Sequence, residues 1–285
     1  MSIRSILIPI VPGDEPAPQL NAALQIARRF EGRLKALFIR PDPADTIAAI
    51  PNFALAARIS LADVEQAGRD AAQAAHDRFD SWRSAYAVIG EPPFAAGVEV
   101  STEWMERVGP IESELAAHGR LSDLIVAHYP TNHAHGSHRV FATAVFSTGR
   151  PVLLVRHAIP RDILDHVLIA WDGSLDATRT VAAAMPFLRA AKQVTVLTVD
   201  LAHGEPKVGL PLCETLAHHG IKSEQTWSHR SDTGAGTAIL RAASERGASL
   251  IVMGTHNRNG ILETLLGGAT RHVLREGSLP ILMAH

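Results

Sequence analysis

One cysteine, Cys213, is all that the 285 residues contain, so no disulfide can close within the chain, which fits a reducing compartment. Aromatic residues are scarce, at 5%. Charge of neither sign is in surplus: 27 Lys and Arg stand against 29 Asp and Glu, a formal net charge of −2. That balance removes the long-range attraction that draws a protein to nucleic acid or to an anionic membrane surface. Long hydrophobic runs are missing as well. The first apolar run, residues 6–11, stops at Pro12 and Gly13. It is too short for the apolar core of a signal peptide, and far short of the roughly 20 residues of a membrane span. The expected location is the cytoplasm, with no nucleic-acid or membrane partner.

Several catalytic signatures are also absent. The chain has no Gly-x-Ser-x-Gly elbow and no Gly-x4-Gly-Lys-Ser/Thr loop, and no Gly-x-Gly-x-x-Gly follows either first strand. Phosphoryl transfer needs a metal-ligand set and a group to position the nucleophile, and neither can be assembled. Cys213 falls in a helical stretch with no activating neighbour. The expected output is binding and not catalysis.

What is present is a repeat. Each half opens on a short apolar strand, SILIPIV at residues 5–11 and HVLIAW at 166–171, followed by an amphipathic helix at about 17–30 and 175–191. A second strand follows, at 34–39 and 194–199. Late in each half SDLIVA (122–127) matches ASLIVM (248–253), and a last strand follows proline at 151–155 and 280–284. Short apolar runs alternating with helical patterns predict βαβ units around a parallel sheet. The expected fold is α/β: two repeated, doubly wound, five-stranded parallel-sheet domains of Rossmann-like type, at 1–158 and 164–285. Residues 55–86 carry alanines at helical spacing and read as packing surface. Pro9 inside a central strand is tolerable only if no partner needs its missing N–H.

Open parallel sheets bind ligands at the carboxyl ends of strands, where strand order reverses. In the second half Asp172, Val199 and Gly254 end three strands. A glycine ending a strand permits close backbone approach and positive φ. Gly267, Gly268 and Ala269 open a helix, and amides at such a position favour an anion. Gly254, Asn257 nearby, and the Gly267–Gly268 pair nine residues further on resemble the nucleotide loop of the universal stress protein family. Its ATP-binding members have Gly, two residues, Gly, nine residues, Gly, then Ser or Thr. Trp171-Asp172-Gly173-Ser174 and residues 237–254 are similar to that family too, and the likeness spans nearly all of the second half. The resemblance implies a stress-response or regulatory protein of tandem type that binds ATP or a related adenine nucleotide. It implies that Asp172 faces the nucleoside and that the Val199 backbone meets adenine. Met253, Gly254 and Asn257, with the amides of Gly267, Gly268 and Ala269, would then surround the phosphates. At most slow, incidental ATP hydrolysis is expected. The family's domains pair through their last strands, which implies an intramolecular pseudo-dimer here, with a homodimer as a further option.

Two positions depart from the pattern. Asn257 replaces the second glycine, and Gly268 replaces the hydroxyl residue; each weakens the site without removing it, since one hydrogen bond is worth about 0.5–1.5 kcal/mol. Aligning the halves sets Val11 against Asp172, His128 against Gly254 and Thr131 against Asn257, so the first half is read as a degenerate copy. Its His128, His133, His135 and His138 offer imidazoles for a metal, although glycine and proline suit a polar loop better and no metal site is assigned. A relative with decayed sites that works through protein partners is the alternative reading, and metal binding a lesser one.

Overall fold

The structure is a computed structural model, and its described residues are 2–13, 15–48, 50, 58–86, 88–90, 100–129, 135–157, 159, 162–200, 209–229, 234–255 and 267–285. The chain divides into two units, Ile3–Thr148 and Gly149–His285. The first comprises β1 (Ser5–Ile10), α1 (Ala17–Phe30), β2 (Arg33–Arg40), α2 (Pro43–Ala48), α3 (Leu61–Ala85), β3 (Ile89–Gly90), β4 (Ser101–Val108), α4 (Ile111–Arg120), β5 (Leu124–His128) and α5 (His135–Ser147). The second comprises β6 (Val152–Val155), β7 (His166–Ala170), α6 (Leu175–Ala190), β8 (Gln193–Asp200), α7 (Leu210–His218), β9 (Glu224–His229), α8 (Ala235–Glu245), β10 (Leu250–Met253), α9 (Gly268–Glu276) and β11 (Ile281–Met283).

The first unit's strands run in the order β3-β4-β2-β1-β5, and every described pair among them is parallel. The second unit's strands run β6-β11-β10-β7-β8-β9, parallel except for β6, which meets β11 antiparallel with Leu153 opposite Leu282. β6 lies before the linker and was assigned from sequence to the first half. In the structure it groups with the second unit, because its apolar side chains and backbone pair with β11. The central strands are buried along their length, as expected of a sheet with helices on both faces.

Equivalent strands in the two units share a register. In the second unit β7 and β10 pair from Val167–Leu250 through Ala170–Met253. In the first, β1 and β5 pair at the equivalent Ile6–Leu124 and Leu7–Ile125, then stop two pairs short. Pro9 stands where the second unit has Ala170. It has no N–H to give a ladder, and its carbonyl accepts instead from Gln19 Nε2 at 3.2 Å, from a side chain only 1% exposed. Pro9 therefore sits in a central strand where the pairing on one side has already ended.

The long helix α3 buries Ala72, Ala75, Phe79 and Trp82, one stripe at helical spacing. Phe79 packs on Trp104 of β4 at 5.4 Å between ring centroids, and Phe38 of β2 lies 6.0 Å from the same ring. Arg139 of α5 forks onto the Glu112 carboxylate of α4 with two 2.5 Å hydrogen bonds, which hold the Glu112 carboxyl below its usual range. In the second unit His166 opens β7 as a buried polar residue: its Nδ1 lies 2.9 Å from the Arg246 carbonyl and its Nε2 lies 2.8 Å from Thr195 Oγ1. A carbonyl only accepts, so Nδ1 carries a proton and donates to Arg246.

The turn from β7 into α6 uses three local devices. Gly173 takes φ = 74°, the region that glycine enters without steric cost. Asp172 Oδ1 accepts from Ser174 N at 3.0 Å, and Ser174 Oγ caps the helix by accepting from Ala177 N at 3.2 Å. Further along, Thr180 Oγ1 donates to the Asp176 carbonyl at 2.7 Å and accepts from Ala284 N at 3.1 Å, which fastens α6 to the residues after β11. Thr180 is 1% exposed. Thr180→Val should cost about 1–3 kcal/mol by leaving the Ala284 amide buried without an acceptor. Thr180→Ser should cost much less, and denaturant unfolding of the two variants checks both values.

Candidate functional site

β7 feeds β8 on one side and neighbours β10 on the other, so strand order reverses at the β7–β10 pair. There the carboxyl ends of β7, β8 and β10 meet the first turns of α8 and α9 around a cavity of about 270 Å³. Its lining includes five of the residues proposed from sequence: Asp172, Val199, Met253, Gly254 and Ala269. Gly267 and Gly268 are not in the wall; they stand immediately before Ala269, at the N-cap and first residue of α9. Asn257 lies outside the described residues.

The wall has two chemistries. Ala170, Trp171, Leu197, Val199, Ala235, Ile239 and Met253 make an apolar slot. Gly254, Ala269 and Thr270 close the other side, next to the start of α9. No side chain caps α9, and Arg271 N is the first of its amides seen to close on a carbonyl within the helix, Gly267 O at 2.9 Å. The earlier amides therefore have no acceptor inside the helix and carry the positive end of its dipole. α8 likewise begins without a side-chain cap, after Gly234 at φ = 96°. Gly234 holds the cap position. The slot suits a flat apolar group with an anionic or polar tail.

Gly254 is constrained in a way the sequence did not reveal. Its φ is not in the left-handed region, so of the two freedoms that glycine permits it uses only the close approach. A Cβ there would lie 2.7 Å from Ala177 N and 2.9 Å from the Asp176 carbonyl carbon, so glycine is needed because α6 packs its first turn against this backbone. Gly268 is the opposite case, with nothing within 4 Å of an added Cβ. Asp172 is also not the only acid at the loop: Asp176 Oδ2 accepts from Thr255 Oγ1 at 3.2 Å, directly after Gly254.

Trp171, Leu197, Ala235, Ile239 and Thr270 were not named from sequence. Period-two alternation on β8 sets Leu197 on the face of Val199, and i,i+4 spacing sets Ile239 with Ala235, so partial signals existed. Thr270 Oγ1 donates to the Gly254 carbonyl at 3.2 Å and ties α9 to β10. In the first unit Val11 is buried where Asp172 stands in the second, and His128 ends β5 where Gly254 follows β10. Thr131 and His133 lie outside the described residues, while His135 and His138 fall in α5. Among the described residues no three His, Cys, Asp or Glu side chains gather as a metal site, and none of the described helices is long and apolar enough to cross a membrane.

Residues 164–285 match the model of the universal stress protein family. In that region the chain is similar to a universal stress protein domain. A universal stress protein from Archaeoglobus fulgidus DSM 4304 superposes with a TM-score of 0.72 at 16% identity, covering 98% of this chain and 96% of that one. A putative universal stress protein from Pseudomonas aeruginosa UCBPP-PA14 gives 0.56 at 21% identity, over 99% and 93% of the two chains. The cytoplasmic domain of a prokaryotic cation chloride cotransporter gives 0.51 at 12% identity, over 99% and 96%. At these identities the likeness is one of fold. No curated protein matches the chain. The doubly wound parallel arrangement expected from the repeat is the observed fold, and the order β4-β2-β1-β5 in the first unit corresponds to β9-β8-β7-β10 in the second.

The two glycines make a paired expectation. Gly254→Ala should destabilise the protein by about 1–3 kcal/mol or more, because the added methyl meets backbone that cannot rotate away. Gly268→Ser should leave the thermal midpoint nearly unchanged. Calorimetric scans of both variants test the assignment.

Proposed function

We propose that this protein is a stress-response or regulatory factor whose C-terminal domain binds ATP or a related adenine nucleotide. One observation carries the reading. The apolar slot between β8 and α8 continues into the uncapped start of α9, with Asp172 on the wall between β7 and α6. A purine fits the slot beside Val199 and Leu197, a ribose hydroxyl suits the Asp172 carboxylate, and phosphates suit the amides of Gly268 and Ala269. Gly268 without a side chain leaves the tail held by backbone alone. The family assignment of residues 164–285 supports the same ligand class.

Binding, with a change in the loop around it, is the output in this reading, and catalysis is not part of it. Among the described residues of the first unit, the buried Val11 brings no carboxylate where the second has Asp172, and His128 ends β5 where Gly254 follows β10, so the nucleotide is assigned to the second unit alone. A cytoplasmic location, pairing of the two halves through their last strands, and a homodimer complete the proposal. They rest on the family resemblance alone.

Gly254 is a poor position for a test, since its substitution disturbs α6 whether or not a ligand binds. Ala269→Glu is the better probe. A carboxylate in the first turn of α9 suits the helix dipole and preserves folding, while it repels phosphate from the site. Titration of wild-type protein with ATP, ADP and AMP should give sub-millimolar dissociation constants. Ala269→Glu should weaken them at least tenfold with its thermal midpoint unchanged. Wild-type protein with no affinity below millimolar, and no adenine nucleotide on purification, would defeat the proposal.

A further inference from the structure

Thr255 is fully buried, at 0% exposure, and is the last described residue before the segment that returns at Gly267. Its Oγ1 lies 3.2 Å from Asp176 Oδ2 and 3.2 Å from His285 Nδ1. A hydroxyl has one proton to give. An ionised carboxylate only accepts, so the Thr255 proton points at Asp176, and the contact to His285 works only if Nδ1 carries a proton and donates to Oγ1. The three groups thus form a directed chain from His285 through Thr255 to Asp176. Arg179 Nη1 stands 3.8 Å from Asp176 Oδ1.

The same residue holds the backbone on both sides of the segment. Gly254 is wedged on the first turn of α6, where Asp176 lies. The Thr255 carbonyl accepts from Gly267 N at 3.4 Å, and Gly267 is the N-cap of α9. Meanwhile Thr180 binds both the Asp176 carbonyl and Ala284, the neighbour of His285. The Thr255 hydroxyl thus ties the residue after Gly254 to α6 and to the residues after β11, and the Thr255 carbonyl ties it to the N-cap of α9.

We propose that Thr255 is a positioning residue of the ligand site: the directed chain His285 Nδ1–H to Thr255 Oγ1–H to Asp176 holds Gly254 and the start of α9 where a ligand needs them. Its effect on affinity rests on the nucleotide reading above; its effect on the segment does not. Thr255 touches no ligand in this arrangement. It sets the distance between the Gly254 backbone and the α9 amides, and so the fit of whatever anion spans them. His285 in its neutral form is held as the Nδ1–H tautomer.

Three measurements on the full chain test this. In wild-type protein, ¹⁵N shifts should report the Nδ1–H tautomer for neutral His285, and Thr255→Val should abolish that preference. Amide hydrogen exchange in peptides spanning residues 254–270 should be faster in Thr255→Val and return to the wild-type rate in Thr255→Ser, which keeps the hydroxyl. ATP affinity should fall up to about tenfold in Thr255→Val, the scale of one lost hydrogen bond, and recover in Thr255→Ser. An unchanged tautomer together with unchanged exchange overturns the proposal, whether or not ATP binds. If wild-type protein binds no nucleotide while the tautomer and exchange respond as stated, the positioning role stands and the nucleotide reading fails. If nucleotide binds equally well to all three proteins, Thr255 has no role in the ligand site and this inference is overturned.

Discussion

The packing of the Gly254 backbone against the first turn of α6 is the contact on which the site depends. A side chain at position 254 would meet Ala177 N and the Asp176 carbonyl carbon, both parts of a helix that cannot give way. Because that contact is closed, the end of β10 lies beside the turn that carries Asp172, and Thr255 comes within reach of Asp176. Thr270 then reaches back to the Gly254 carbonyl and sets α9 against the same strand end. One missing methyl group brings three helix beginnings and three strand ends close enough to enclose a cavity. The glycine would look like a ligand contact in any motif search; its first duty is to packing.

That order of causes separates the two kinds of glycine in the loop. Gly254 has no space around it, and its identity is fixed by the fold before any ligand is considered. Gly268 has open space on every side, so its lack of a side chain is not demanded by packing. A site whose tail end is lined only by amides relies on the helix terminus and on the backbone of Gly254. Such a site is sensitive to where those backbones lie, which is why a buried hydroxyl that positions them matters more here than in a pocket lined by charged side chains.

Much of the architecture was legible in the sequence, for a specific reason. Buried central strands such as β1, β5, β7 and β10 are continuous apolar runs, and α1 coincides with its expected range because its apolar face repeats at helical spacing. β4 and β9 went unnamed. STEWMERV and EQTWSH mix charge and polarity into strands near the sheet margins, where one face is wetter and the apolar signal thins out. The site was legible where a residue type answers to chemistry, as with Asp172 and the start of α9. It was illegible where only proximity matters. Leu197 and Ile239 carry only the partial signal of strand and helix spacing, and Asp176 looks like an ordinary first-turn acid until Thr255 is seen beside it.

The two halves also share a core while their strand ends differ. Their central strands keep an equivalent register, so the core of each half is built alike. In the second half the β7–β10 ladder runs on to Ala170 and Met253 and delivers Gly254 to α6. In the first half the β1–β5 ladder ends at Leu7, ahead of Pro9, and the Pro9 carbonyl turns to the buried amide of Gln19. Val11 buries an apolar group where the second half exposes the Asp172 carboxylate. Each of those differences serves the packing of the first half, because polar groups at a strand end are costly to keep dry and a buried Val or a hydrogen-bonded Gln meets that constraint locally.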